Sequence, residues 1–365
     1  MIELVQYHGY PIEEHIATTT DGYHLLLHRI PFGVNENGKN KYHRRPVIFL
    51  QHGFVGSSAT WVTNLPSQSA GFVFADSGFD VWMGNARGNT YSQEHNRFTR
   101  NDDEYWKFTF DQISKYDLET MIDKALNVSG QKQLSYVGYS EGCVTMLAKL
   151  AIDPAFSAKV SKFFALGPMT SMVHARGLVA FVLNHLKTPL QILSLLSTEF
   201  MSNFGFFGKL TRYLYTYPSM TAICDYLLLQ IGGEITNQTR MSVYLTHIPG
   251  GTSTANLIHW TQLADTEHLR MFDFGTEQLN IFHYGTPKPP VYEFDRISTP
   301  TYIYWSDADW FTDERDIKNS IIDRMRPEYL VESNRLVNFN HFDYVWGVEA
   351  AEQIYKPIIS RISGY

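Results

Sequence analysis

Leu134-Ser135-Tyr136-Val137-Gly138-Tyr139-Ser140-Glu141-Gly142 is the stretch that decides how this chain is read. Leu134 to Val137 has the short apolar character of a strand buried on both faces. Gly138-Tyr139-Ser140-Glu141-Gly142 then has the G-x-S-x-G spacing of a strand-to-helix turn so tight that its serine is strained and pushes Oγ into a cleft. Glycines two before and two after Ser140 are needed because a Cβ at either place would collide with the neighbouring chain. The helix that opens after the turn aims its first amides at a negative charge forming beside the serine. Ser140 is thus the expected nucleophile. A serine needs a base, and the base needs a carboxylate to orient it.

Working outward from this turn, strands and helices alternate. Val47 to Leu50, Asp80 to Met83 and Lys162 to Leu166 read as further strands, followed late in the chain by Thr301 to Trp305 and Arg335 to Phe339. The first 35 residues read as an antiparallel hairpin about Asp21-Gly22, a pair that tolerates positive φ. A helix is expected from about Asp117, which would cap it, to Gly130, with Leu118, Met121, Ile122, Ala125 and Leu126 on one face. A closing helix is expected from about Val348. The pattern predicts an α/β fold with a mostly parallel sheet. Residues 169–294 break the rhythm: they are rich in Leu, Phe and Met and poor in strand-like runs. They read as an inserted helical cap, with residues 1–168 and 295–365 forming the core.

Tight turns of this kind take their partners from later strand ends, in the order serine, acid, histidine. Asp307-Ala308-Asp309 follows Thr301 to Trp305, and Asn340-His341-Phe342-Asp343 follows Arg335 to Phe339. The expected triad is Ser140, Asp309 and His341, with Asp307 and Asp313 as alternative acids because spacing alone does not fix which carboxylate meets the imidazole. Asp343 would project away from His341 in an extended chain and reads as structural. His52-Gly53-Phe54 follows the strand Val47 to Leu50. The amide of Phe54 is the expected second oxyanion donor beside that of Glu141, and His52 reads as a loop residue bonding its own backbone. Cys143 reads as a small buried hydrophobe.

Composition narrows the function. The chain has 365 residues, 44% hydrophobic and 18% charged, with a net charge of −7. That excludes disorder and leaves no basic surplus for nucleic acid. No apolar run approaches a membrane span. Neither cysteine, Cys143 or Cys224, sits in a metal spacing, and HExxH, EF-hand and dinucleotide fingerprints do not occur. No metal or cofactor is expected, and no protein partner can be inferred. Pro249-Gly250-Gly251-Thr252 lacks the lysine of a phosphate loop and reads as a turn. The N-terminus has no signal-peptide pattern, so a secreted life would require a leader already removed. Asn127 and Asn237 head glycosylation sequons.

Several long segments resemble the acid lipase family, the gastric and lysosomal type of triacylglycerol and steryl ester hydrolases. They are Gln51-His52-Gly53, Asp80-Val81-Trp82-Met83-Gly84-Asn85-Ala86-Arg87-Gly88-Asn89-Thr90, Lys115-Tyr116-Asp117-Leu118, His247-Ile248-Pro249-Gly250-Gly251-Thr252-Ser253, and Asn340-His341-Phe342-Asp343-Tyr344-Val345-Trp346-Gly347. The resemblance runs from Tyr7-His8-Gly9-Tyr10-Pro11 to the last helix. It implies an α/β-hydrolase core under a helical cap, a triad of Ser140, Asp309 and His341, a lipid ester presented at a lipid–water interface as substrate, and a secreted or lysosomal location. Asn237 coincides with a family sequon. Two departures stand out. The family's turn is usually G-H-S-Q-G, whereas Tyr139 and Glu141 stand here, so a carboxylate beside the oxyanion site is expected to affect rate or pH profile. The family's cap disulfide is also missing, with Cys224 matching one partner and Gly232 the other. The expected chemistry is acyl transfer, the alternative being a catalytically silent lipid-binding or storage relative. A cap over an apolar pocket further suggests a mobile lid, with Leu178, Phe181, Val182, Leu186 and Leu190 available to face the cleft.

Overall fold

The computed structural model describes residues 1–35, 45–185, 189, 197–201, 213, 232–233 and 235–364. Its strands are β1 (Glu13–Thr18), β2 (Tyr23–Ile30), β3 (Val47–Gln51), β4 (Asp80–Met83), β5 (Glu94–His95), β6 (Leu134–Tyr139), β7 (Val160–Leu166), β8 (Glu199–Phe200), β9 (Thr252–Ser253), β10 (Thr301–Ser306) and β11 (Leu330–Leu336). The main sheet runs β1-β2-β4-β3-β6-β7-β10-β11, with β5 paired to β2. From β4 through β3, β6, β7 and β10 to β11 every pairing is parallel, while the β1-β2 hairpin and its edge on β4 are antiparallel. The expected mostly parallel α/β sheet is present.

Its central strands are apolar on both faces because each face meets its own core. On β3, Val47 and Phe49 join one cluster and Ile48 and Leu50 the other; on β6, Tyr136 lies on the first side and Val137 and Tyr139 on the second. Such alternation is the period of a strand read from two sides. Helices named here are α1 (Ile2–Tyr7), α2 (Ala70–Asp76), α3 (Leu118–Ser129), α4 (Glu141–Ile152), α5 (Gly177–His185), α6 (Thr254–Gln262), α7 (Glu277–Tyr284), α8 (Glu314–Ser320) and α9 (Lys356–Ser363). Met121 and Ile122 of α3 and Met146 and Leu150 of α4 cover the first face, and Phe72 and Phe74 of α2 with Ile358 of α9 cover the second. The described part of the segment between β7 and β10 holds α5, α6, α7 and the two-residue ribbon β8-β9.

Three expectations need correction. A short helix, α1, precedes the hairpin; six residues that bury only Val5 carry too little periodicity to be read. The last strand is Leu330–Leu336, not Arg335 to Phe339, which lies largely in the turn beyond it, where Asn338 has a positive φ of 59°. As the edge strand, β11 alternates exposed and half-buried residues, and Glu332-Ser333-Asn334 hides its β character. Finally, Asp117 does not cap α3. The backbone is already helical there, through a π-turn at Ile113–Asp117 after a start at Phe110 capped by Thr109 and Gln112.

The Asp117 carboxylate serves another element. It accepts from the Arg87 backbone N–H at 3.0 Å and from Arg87 Nε at 2.8 Å, while Arg87 Nη1 reaches Asp21 at 2.6 Å. This ties the loop after β4 to α3 and to the β1-β2 turn. The guanidinium also stacks over the Tyr23 ring at 4.0 Å. Arg87 and Asp117 side chains are 1% and 0% exposed, so removing one partner strands the other's charge. Arg87→Leu is expected to cost about 3–5 kcal/mol, read as a fall in urea midpoint near pH 7. An unchanged midpoint would mean that the pair is dispensable.

Candidate active site

Ser140 stands between β6 and α4 with φ 54° and ψ −115°, the strained geometry expected of it. The flanking glycines are there for contact. A Cβ on Gly138 would lie 2.6 Å from the Gly142 backbone, and one on Gly142 would lie 2.4 Å from the Gln51 carbonyl. The turn is thus wedged against the end of β3, which explains why the loop after β3 meets the serine.

Ser140 Oγ lies 3.0 Å from His341 Nε2, and His341 Nδ1 lies 2.9 Å from Asp309 Oδ2. All three residues are buried. The second Asp309 oxygen accepts from the Phe311 N–H at 2.9 Å, which fixes the carboxylate's rotation. The alternatives are occupied elsewhere: Asp307 pairs with Arg335, and Asp313 accepts the Arg315 and Asp316 amides at the start of α8. His174, Asp313 and Asp316 bring ligand-type atoms within 4.8 Å of one another, but these are the partners of that same helix cap and of a His174–Asp316 hydrogen bond. Asp343, as expected, does not face the imidazole. It accepts from the Asn340 N–H and the Thr236 hydroxyl, and burial pushes its carboxyl up to about 7.

The loop expected to carry the second oxyanion donor is held close by Gly53, where a Cβ would lie 2.8 Å from Ser140 Cβ. Phe54 follows, and Glu141 opens α4, where an N–H precedes the first intrahelical bond. His52 is structural. Its Nδ1 meets the Gly53 carbonyl at 2.8 Å and Nε2 accepts from the Ala86 N–H at 3.1 Å, while burial lowers its pKa to about 4 and keeps it neutral. Cys143 is buried and free, its thiol pushed well up by burial.

Several supports were not legible in the sequence. Tyr139, the first departure in the turn, donates its hydroxyl to the His341 carbonyl at 3.0 Å. Asn340 Oδ1 accepts from both the His341 and Trp310 amides, joining the base loop to the acid loop. The Gly250 N–H donates to the Val55 carbonyl at 2.6 Å, so the Pro249-Gly250 turn braces the loop after β3. Arg176, just before α5, donates to the Asp309 carbonyl at 3.0 Å. Each joins residues far apart in sequence, and no local pattern announces such a bond.

Above Ser140 and His341 lies a cavity of about 280 Å³ walled by apolar side chains, among them Phe54, Met169, Leu178, Val182, Leu257 and Trp260. Leu178 and Val182 face it as expected. Phe181 does not: it points outward and is 53% exposed, and Val179 and Leu183 line the cavity in its place. On a helix, a residue one position from the lining face is turned by about 100°. Leu186, Leu190 and Cys224 lie outside the described residues.

Comparison with known proteins gives the chain its family. A family model for a partial alpha/beta-hydrolase lipase region matches residues 1–65, and one for the alpha/beta hydrolase fold matches residues 46–194. The chain is 39% identical to lipase lipl-5 of Caenorhabditis elegans, over 98% of its own length and 90% of the relative's. It is 36% identical to human lysosomal acid lipase/cholesteryl ester hydrolase, over 100% and 90%. The chain belongs to the acid lipase family. Among solved structures, carboxylesterase CesB of Bacillus subtilis shares the fold at 11% identity and a TM-score of 0.53, covering 100% of this chain and 95% of that one. As an acid lipase the chain is a hydrolase, and its departures at Tyr139 and Glu141 flank a serine hydrogen-bonded through His341 to Asp309.

Proposed function

We propose that this enzyme hydrolyses long-chain acyl esters, triacylglycerols or steryl esters, through a covalent acyl-enzyme. Ser140 Oγ attacks the ester carbonyl carbon while its proton passes to His341 Nε2. The amides of Phe54 and Glu141 receive the oxyanion. The C–O bond to the alcohol breaks as His341 returns the proton to the leaving oxygen, and water then releases the fatty acid by the same steps. Asp309 holds the imidazole with Nδ1 protonated, so that Nε2 is free to accept.

The observation that carries this reading is the continuous chain from Ser140 Oγ through His341 to Asp309 at the floor of an apolar cavity. A cavity so walled suits an acyl chain. We take residues 169–294 as the cap, with α5 and α6 contributing its inner wall, and an apolar interface as the place where it admits substrate. The relatives' names include a lysosomal enzyme, which supports a lysosomal or secreted location. Of the two sequons, Asn127 lies exposed at the end of α3. Asn237 is buried, and its amide donates to Asn64 and Gln68, so a glycan there would displace both bonds. Among the described residues no helix is long and apolar enough to cross a membrane.

A long-chain alkyl phosphonate ester is expected to label one residue, Ser140, in stoichiometric fashion and to abolish esterase activity in parallel. Mass spectrometry of the labelled peptide reads this directly. An unmodified Ser140 under conditions that label an authentic serine esterase would replace hydrolysis with passive lipid binding.

A further inference from the structure

We propose that Glu141 is a positioning residue that works as a neutral carboxylic acid: paired with the side-chain amide of Asn256, it holds the residue carrying the first oxyanion amide against α6, and ionisation removes the acid's own hydrogen bond to Asn256 and puts a negative charge beside the oxyanion. This rests on the reading of residue 141 as an oxyanion donor and goes beyond it, because the side chain itself is given a task.

The geometry is specific. Glu141 is the first residue of α4, directly after the nucleophile, and only 4% exposed. Its Oε2 accepts from Asn256 Nδ2 at 2.8 Å and from Trp260 Nε1 at 2.5 Å, both on α6. Trp260 also lines the cavity above Ser140, so the wall of the acyl pocket and the oxyanion residue share one carboxyl group. The telling atom is Asn256 Oδ1, which is buried without a hydrogen-bond donor. A buried amide oxygen left unpaired is costly. A carboxylate has no proton to give it. A carboxylic acid has one, and an acid and a primary amide can exchange two hydrogen bonds, O–H to C=O and N–H to C=O. Protonation of Glu141 would therefore pair the orphan and complete the join.

The surroundings favour that form. Burial raises the Glu141 carboxyl to about 7, against the opposing pull of the Trp260 and Asn256 donors, and no charged neighbour contributes. The titratable groups on the flanking elements are largely neutral near pH 7. Burial drives Tyr136 and Tyr139 of β6 and Cys143 of α4 well up, and it drives His52 and His259 down. On the far side of Ser140 stand His341 and Asp309, paired with each other, and Asp111, before α3, is held by Tyr292 and the Phe272 amide. Ionised Glu141 would add a like charge on the residue whose amide receives the oxyanion, where low polarity magnifies repulsion. Activity is then lost as pH rises through about 7.

The test is the pH profile of kcat/KM for the full chain on a soluble ester, wild type against Glu141→Gln and Trp260→Phe. Glutamine permanently mimics the neutral acid, with an N–H for Asn256 Oδ1. The expected result is loss of the alkaline limb, so that the ratio of rates at pH 8 and pH 6 rises roughly tenfold over wild type, the change in protonated fraction across a group titrating near 7. Trp260→Phe deletes a donor that favours the ion and should move the limb to higher pH. Limbs that stay at the wild-type pH in both variants overturn the proposal. Infrared spectroscopy reads the proton without activity: a carboxylic-acid carbonyl band that titrates near neutrality and vanishes in Glu141→Gln is expected, and its absence from wild type at pH 5 also overturns it. An enzyme inactive at every pH, yet showing this band, would instead refute the hydrolase reading.

Discussion

Ser140→Ala should lower kcat on a long-chain ester by roughly a millionfold while leaving the protein folded, since in serine hydrolases removal of the nucleophile alone costs about as much as removing the whole triad. The size follows from the arrangement. In the proposed mechanism Oγ forms the covalent bond and its proton passes to His341 Nε2, 3.0 Å away. The structural cost is small by comparison. Ser140 makes its backbone bond to the Leu166 carbonyl at 3.0 Å, which alanine keeps, and both residues carry the same strain at φ 54°. Thermal unfolding within a few degrees of wild type, together with background hydrolysis, is the expected pair of results. Retention of more than about a hundredth of wild-type kcat would place the chemistry on another residue.

The extent to which the sequence anticipates this site follows from where its constraints are local. The turn at Gly138 to Gly142 is specified by five consecutive residues, because each glycine answers a clash that the turn itself creates. The triad needs only the order of strand exits, and Asp309 and His341 stand at two of them. The acid could not be chosen from spacing: Asp307, Asp309 and Asp313 lie within seven residues, and only the Phe311 amide and the turn into α8 decide which of them rotates inward. Long-range joins leave no local mark. Asp117 has the composition of a helix cap and yet binds Arg87 from another loop, and Phe181 belongs to an apolar stripe whose rotation is set by what α5 packs on. Glu141 is the sharpest instance. Its departure from the family's glutamine is visible in sequence, whereas the unpaired Asn256 oxygen that gives it meaning is 115 residues away.

Asp309→Asn tests the orientation of the base, and its effect should be about 10⁴-fold in kcat, the loss seen when the acid of such a triad becomes an amide. The mechanism is a matter of tautomers. Asp309 Oδ2 can only accept, so it holds the His341 proton on Nδ1 and leaves a lone pair on Nε2 for the serine. Asparagine fits the same space, and its Oδ1 can keep the Phe311 amide at 2.9 Å. Its NH₂ then faces Nδ1 and donates, which drives the ring proton to Nε2. A protonated Nε2 at 3.0 Å from Oγ cannot take the serine proton. Binding should change little, because Asp309 is not among the residues that wall the cavity, so the loss falls on kcat and not on KM. Asp307→Asn and Asp313→Asn are the controls, since the first loses an ion pair with Arg335 and the second an ion pair with Arg315, neither of which touches the imidazole. Both should keep kcat within about threefold of wild type, and Asp313→Asn should keep its helix cap, because asparagine's Oδ1 accepts the same amides. A collapse of kcat in either control with Asp309→Asn still active would transfer the role of the acid to that residue, and with it the orientation of the base.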